Sequence, residues 1–255
     1  MAPLGVSNAV SSDNLDIPLI SFSDFTSGDP AIKQATAQAI LSGFQNAGFI
    51  YLKDHPIPSS IVQKTFEESA RFWKRPYEQK QKMAWSSPEA NRGWTSQGRE
   101  KTSNSFDFDE IAEQRELEGA DLKESFEIGR EGEPDHPNQW PDQFDQEGVQ
   151  FKQHMSDFFD RCKQMHVLIM QAIALGLRLE ENWFDQFTDG GDNTLRLLHY
   201  PEVKSEVFRR NANQVRAGAH SDYGSITLVC PALDKAMALG LTQCSSSKTC
   251  AEAFK

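Results

Sequence analysis

The sequence predicts an α+β fold. Three observations point there: a mixed N-terminal region in which short apolar runs alternate with helical patterns, one long helix with a single apolar stripe, and a change to strand-like patterns after about residue 190. At 255 residues the chain can bury a full core, as one large domain or two small ones.

Ile17-Pro18-Leu19-Ile20-Ser21-Phe22 is an apolar run interrupted by proline and reads as an edge strand. Asp29-Pro30 supplies an N-cap and a proline at the first helical position, and the helix it opens stops at Ala47-Gly48. Phe49-Ile50-Tyr51-Leu52 reads as a buried strand. After the turn His55-Pro56-Ile57-Pro58, Ser59 or Ser60 can cap a helix whose apolar positions are Ile61, Val62, Phe66, Ala70 and Trp73. Residues 86–140 are rich in Gly, Pro, Ser and acids and read as long loops with a few short strands, too long for a plain linker, so part of them lines something.

The clearest helix runs from about Gly148 to Leu177, where Phe151, Met155, Phe158, Cys162, Met165, Ile169 and Ala172 recur at alternating spacings of four and three. His154 and His166 on this helix are twelve residues apart and cannot share a metal on one face, so they read as surface or core-edge histidines. Beyond Asn182-Trp183-Phe184, strands are expected over Asn193–Tyr200, Gln214–Ala219 and Gly224–Val229.

The net charge of −11 argues against a phosphate backbone as the main partner, so no nucleic acid is expected. Between Asp107 and Asp135 twelve acids face only Arg115, Lys123 and Arg130, which reads as a solvated loop and helix face. No apolar run is long enough to cross a bilayer, and Met1-Ala2-Pro3-Leu4-Gly5 lacks the regions of a signal peptide; no membrane and a cytoplasmic location are expected. Four cysteines suggest no disulfide framework. Cys162 lies in the helical pattern, while Cys230, Cys244 and Cys250 fall near the end at spacings that match no common zinc pattern.

The chemistry concentrates at His220-Ser221-Asp222, between two strand-like runs. Residues two apart on a strand project to the same side and can grip one ion. A mononuclear ferrous site uses two histidines and one carboxylate on one face, leaving positions for an oxo-acid and dioxygen. No histidine follows His220. Taken alone, the pair occurs by chance in many proteins.

The order of motifs raises its weight. Ile17-Pro18-Leu19-Ile20, Gly48-Phe49-Ile50-Tyr51-Leu52 with His55-Pro56-Ile57-Pro58, Arg92-Gly93-Trp94, Asp121-Leu122-Lys123-Glu124-Ser125-Phe126, Asn193 to Pro201, and Gly218-Ala219-His220-Ser221-Asp222 follow one another in a specific sequence. Over about residues 15 to 229 the chain resembles the 2-oxoglutarate- and Fe(II)-dependent dioxygenases of the isopenicillin N synthase-like family. The resemblance implies a helical and mixed N-terminal region over 15–140, a long helix over 141–190 that packs on the barrel, and over 191–229 the first strands of a double-stranded β-helix, or jelly roll. It implies Fe(II) and 2-oxoglutarate as cofactors, dioxygen and a small organic molecule as reactants, and hydroxylation, desaturation or ring closure as the outcome. By resemblance His220 and Asp222 are the first two iron ligands, and Tyr200 hydrogen-bonds the oxo-acid or a substrate carboxylate. Arg196 is a charge partner inside the barrel or a solvent-facing strand residue.

The sequence departs from the family after residue 229. The expected Gly-Gly-Leu-like strand, distal histidine and Arg-x-Ser are not found, and 230–255 read as an out-of-family tail without barrel periodicity. The jelly roll is therefore expected to be incomplete and the chain a truncated or frameshifted member, catalytically incomplete, with strand edges open to self-association. The tail is expected to add no proper barrel strand and to leave Cys230, Cys244 and Cys250 more accessible than Cys162. Two other readings are a non-catalytic binding or regulatory product, and a different metalloprotein completed by His199 or a tail cysteine. The last is disfavoured because His199 and Tyr200 are adjacent and point to opposite faces of a regular strand.

Overall fold

The computed structural model describes residues 7–12, 15–85, 90–98, 122–188, 190–210, 224–230 and 237–241. Strands and helices mix as the sequence predicts, giving an α+β fold. Two compact units are formed, one from Met1–Glu68, His154–Asp192 and Asp222–Gln243, the other from Ser69–Gln153, Asn193–Ser221 and Cys244–Lys255.

The first unit is built on a five-stranded sheet of order β1-β2-β3-β8-β7, with β1 Ser7–Ser12, β2 Leu15–Ser21, β3 Phe49–Lys53, β7 Ile226–Val229 and β8 Met237–Leu241. Only β2 and β3 pair in parallel, and parallel neighbours need a crossover, which helix α1 (Pro30–Ala47) supplies. The Asp29 carboxylate accepts from the backbone N–H of Ala31 and Ile32, as the sequence predicts, and the helix closes at Gly48. The proline-broken run 17–22 is not an edge strand. β1 flanks it on one side and β3 on the other. Pro18 is tolerated inside the sheet because it lies where the β1–β2 register shifts, between Asn8 and Val10, and because parallel pairing with β3 begins only at Leu19.

α1 sits close on this sheet. A Cβ at Gly43 would lie 2.4 Å from Ile50 Cγ2 and 2.9 Å from Pro18 Cγ, so only glycine permits the approach. The apolar residues Ile20, Phe22, Phe25, Ala37, Ile40, Phe44, Ile50 and Leu52 are buried in this unit.

Helix α2 spans Ser59–Trp73, α3 Tyr77–Lys82, and the long helix α4 Gln146–Gly176, within two residues of its predicted bounds. Along its stripe Phe151, Met155, Phe158, Met165, Ile169 and Ala172 are buried, while Cys162 is half-buried. His154 is not at the surface. It is 7% exposed, with Nε2 2.8 Å from the Thr65 hydroxyl, which itself donates to the Ile61 carbonyl. His166 is half-buried, with Nε2 2.7 Å from Ser225 Oγ. Short helices α5 (Asp185–Thr188) and α6 (Ser205–Arg210) complete the α-helices among the described residues.

The second unit carries an antiparallel three-stranded sheet of order β4-β5-β6: β4 Gly93–Thr95, β5 Glu124–Ile128 and β6 Leu195–His199. Gly93 has φ 105°, and a Cβ there would meet the Met83 carbonyl oxygen at 2.2 Å, the same carbonyl that accepts from Trp94 N–H at 2.7 Å. The acidic stretch is not wholly a solvated face: in its described part, Glu124 and Glu127 belong to a strand buried over its whole length. Residues 107–121 of that stretch, and the strand expected over Gln214–Ala219, lie outside the described residues.

Two expectations for the tail are corrected. Residues 237–241 form β8, which pairs antiparallel with both β3 and β7, so the tail does add a strand. The register joins Leu228 to Leu239 and Ile50 to Leu239, in a short segment where the large residues Met237, Leu239 and Leu241 alternate with Ala238 and Gly240. Cys230 is half-buried like Cys162 rather than accessible; burial pushes its thiol up to about 11, and burial together with the nearby Cys230 pushes Cys162 up to about 12. Cys244 and Cys250 lie outside the described residues.

Candidate functional site

Strand alternation sorts the second unit's sheet into two faces, because directly paired residues share a side. Trp94, Phe126 and Leu197 form one rung, and Gly93, Glu127 and Arg196 another on the opposite face.

The Phe126 face holds the core. Phe72 packs on Phe126 at 4.4 Å between ring centroids and on Phe151 at 5.0 Å, and Trp140 meets Phe151 at 6.3 Å. At its end Glu124 accepts from Trp94 Nε1 (2.7 Å) and Lys80 Nζ (3.0 Å) and lies 2.8 Å from His199 Nδ1, while the His199 ring stacks on Trp73. Burial alone would raise the Glu124 carboxyl, but the hydrogen bonds from His199, Lys80 and Trp94 outweigh it and hold the group below the ordinary carboxylate range. His199 is thus engaged with Glu124, on the face opposite Arg196.

The other face is polar and buried. Glu127 is 0% exposed; its carboxylate accepts from Trp85 Nε1 (2.5 Å), Ser125 Oγ (3.0 Å) and Arg196 Nε (2.8 Å). Arg196 stands directly across from it on β6 and remains 37% exposed along its side chain. Thr95, two positions along the same face, is 3% exposed, and its hydroxyl has no partner among the described residues. A buried hydroxyl without a partner, next to a fully buried carboxylate, sets this face apart from an ordinary apolar packing face.

Of the residues singled out from the sequence, Arg196 lies on this face with Glu127 as its partner, and Tyr200 follows β6 directly, partly exposed. His220 and Asp222 lie outside the described residues. Among the described residues no three His, Cys, Asp or Glu side chains gather closely enough to hold a metal. A cavity of about 560 Å³ follows one face of α4 from Asp160 to Gln171 and includes none of the residues predicted for the site. Sequence reasoning missed Glu127, Trp85, Ser125 and Thr95. The signal was available in part: Glu124-Ser125-Phe126-Glu127-Ile128 puts a carboxylate on each phase of a strand, which a half-solvated strand does not need.

Comparison with known proteins bears on the family and the fold. Residues 17–143 match the family described as non-haem dioxygenase in morphine synthesis, N-terminal. A full-length Neurospora crassa protein crystallised with alpha-KG and thymine is 48% identical, with a TM-score of 0.80 over 92% of this chain and 76% of that one. A proline hydroxylase from Petromyces alliaceus is 32% identical over 84% of this chain, and a 2-oxoglutarate-dependent dioxygenase from Aspergillus flavus is 31% identical over 86%. The chain spans 64% of the length of each of these two relatives. A 2OG-Fe(II) oxygenase family protein from Caulobacter crescentus, 24% identical with a TM-score of 0.67, shares the fold. Motif order, the mixed fold with its polar sheet face, and identity to the Neurospora protein across most of both chains lead to one assignment: the chain belongs to the family of 2-oxoglutarate- and Fe(II)-dependent dioxygenases.

Proposed function

We propose that this protein binds Fe(II) and 2-oxoglutarate and serves the oxidation of a neutral, carbonyl-bearing heterocycle of the pyrimidine-base class. The observation that carries the reading is the 48% identity, over 92% of the chain, to the protein crystallised with alpha-KG and thymine. His220 and Asp222 would hold the metal, one imidazole and one carboxylate two residues apart. That donor set suits a ferrous ion, and no competing cluster of three donors occurs among the described residues. When bound, the ion would supply dioxygen activation coupled to oxidative decarboxylation of the 2-oxo acid. The chain's own residues bind and orient. Tyr200 can donate a phenolic hydrogen bond to a carboxylate of the oxo-acid, and Arg196 offers guanidinium donors on the polar face. In this reading 15–140 form the N-terminal region, 141–190 the long helix, 191–229 the first barrel strands and 230–255 a tail outside the family pattern.

Ligand-observed NMR on the full chain with Mn(II) and 2-oxoglutarate tests the substrate class. Saturation transfer to the thymine methyl group, dependent on 2-oxoglutarate and not seen with L-proline, is the expected result. Transfer to L-proline and none to thymine would contradict the reading and place the chain with the proline hydroxylase instead.

A further inference from the structure

Two thiols are neighbours in the first unit, and nothing in the iron or oxo-acid chemistry uses them. Cys162 lies on α4 and Cys230 directly follows β7; both are half-buried and neither is in a disulfide. The elements that carry them are joined by a hydrogen bond. His166, one turn further along α4, has Nε2 2.7 Å from the hydroxyl of Ser225, the residue before β7 and 59 residues away in the chain. β7 is in turn paired with β8, and β8 with β3, so the strand that ends at Cys230 has the sheet on one side and α4 close by. The two sulfur atoms are near enough for the charge on one to be felt by the other: Cys230 adds to burial in pushing Cys162 up to about 12, and burial pushes Cys230 up to about 11.

A single buried thiol is inert packing, whereas a second thiol beside it gives an oxidised sulfur something to react with. We propose that Cys162 and Cys230 form a redox latch: a hydroperoxide such as hydrogen peroxide joins them in a disulfide that fastens the end of β7 to α4. The Cys230 thiolate, the less disfavoured of the two, attacks the peroxide O–O bond and becomes a sulfenic acid, and the displaced hydroxide takes up a proton to leave as water. The Cys162 sulfur then forms the S–S bond, and the sulfenic hydroxyl leaves as a second water with the Cys162 proton. Two thiols and one peroxide thus give one disulfide and two waters; the sulfur pair loses the two electrons that the peroxide gains. Burial sets the threshold. Little of either thiol is ionised near neutral pH, so the latch stays open under brief exposure and closes under sustained oxidant. Once closed, it constrains the unfolded chain and stabilises the folded one.

The test treats the full chain, metal-free and without denaturant, with hydrogen peroxide, blocks the remaining thiols and maps the peptides by mass spectrometry. A Cys162–Cys230 cross-linked peptide that dithiothreitol reverses is the expected product, both in wild type and in the Cys244→Ser/Cys250→Ser double variant. Its rate of formation is expected to rise about a hundredfold from pH 7 to pH 9, because the thiolate of a strongly raised thiol grows tenfold per pH unit, against about twentyfold for an exposed cysteine of ordinary pKa. The oxidised chain is expected to show a higher urea midpoint than the reduced one, and Cys162→Ala to abolish that shift. Wild type alone decides the question should a variant fail to fold, since the cross-linked peptide and its reversal need no substitution. Oxidation of Cys230 to sulfinic acid, or its pairing with Cys244 or Cys250 while Cys162 stays reduced, would show that the two thiols cannot reach each other and would overturn the inference. So would a cross-link that leaves the urea midpoint unmoved, since such a bond fastens nothing.

Discussion

Three histidines of the first unit titrate below the ordinary imidazole range. Burial lowers His154, with Lys64 adding to the effect, and burial also lowers His55 and His166. His55 Nδ1 is buried without a partner among the described residues. A histidine whose folded pKa lies below its unfolded value binds its proton more readily when unfolded, so its contribution to stability is complete above about pH 6.5 and is lost as pH falls through the folded value. Urea unfolding midpoints are therefore expected to be lower at pH 5.5 than at pH 7.5. His154→Gln, which can still hydrogen-bond Thr65, should reduce that difference; equal midpoints at the two pH values would show that these rings are not held neutral. The sequence shows His154 on the helix but not its burial, because the Thr65 hydroxyl that completes its hydrogen bonding lies 89 residues away in the chain. Arg196 was ambiguous for the same reason. Its partner Glu127 comes from a strand distant in sequence, and local pattern carries no information about such a pair.

At the scale of elements, those whose signals are local were legible. The Asp29 cap, the Gly48 stop and the stripe of α4 each depend on residues within one helix, and each is found as read. Elements defined by their neighbours were not. β2 carries a proline and reads as an edge, yet it is interior because β1 precedes it and its register bulges at the proline; β8 is only five residues long and is defined by its pairing with β3 and β7. The contact of α1 with its sheet is equally non-local. Valine at Gly43 gains a few tenths of a kcal/mol of helix propensity over glycine, about 0.5 kcal/mol, whereas overpacking costs about 1–3 kcal/mol. The Ile50 methyl can move little and the Pro18 ring less, so the steric cost wins. Gly43→Val is expected to destabilise by about 2 kcal/mol in denaturant unfolding, and unchanged or increased stability would show that α1 can shift off the sheet without penalty.

For the whole molecule, the family was readable from the order of short motifs along the chain, even though no one of them is specific. The polar sheet face was not readable, since it is assembled from β4, β5 and β6 and from Trp85 ahead of them. No helix among the described residues is long and apolar enough to cross a membrane. His220 and Asp222 are proposed to hold a divalent metal together with 2-oxoglutarate. The most direct test of this proposal is Mn(II) titration of the full chain, followed by water-proton relaxation, with and without 2-oxoglutarate, in wild type, His220→Ala and Asp222→Ala. A weak site in wild type that 2-oxoglutarate tightens by adding two oxygen ligands, and its loss in both variants, are expected. Identical isotherms for wild type and His220→Ala would contradict the proposal.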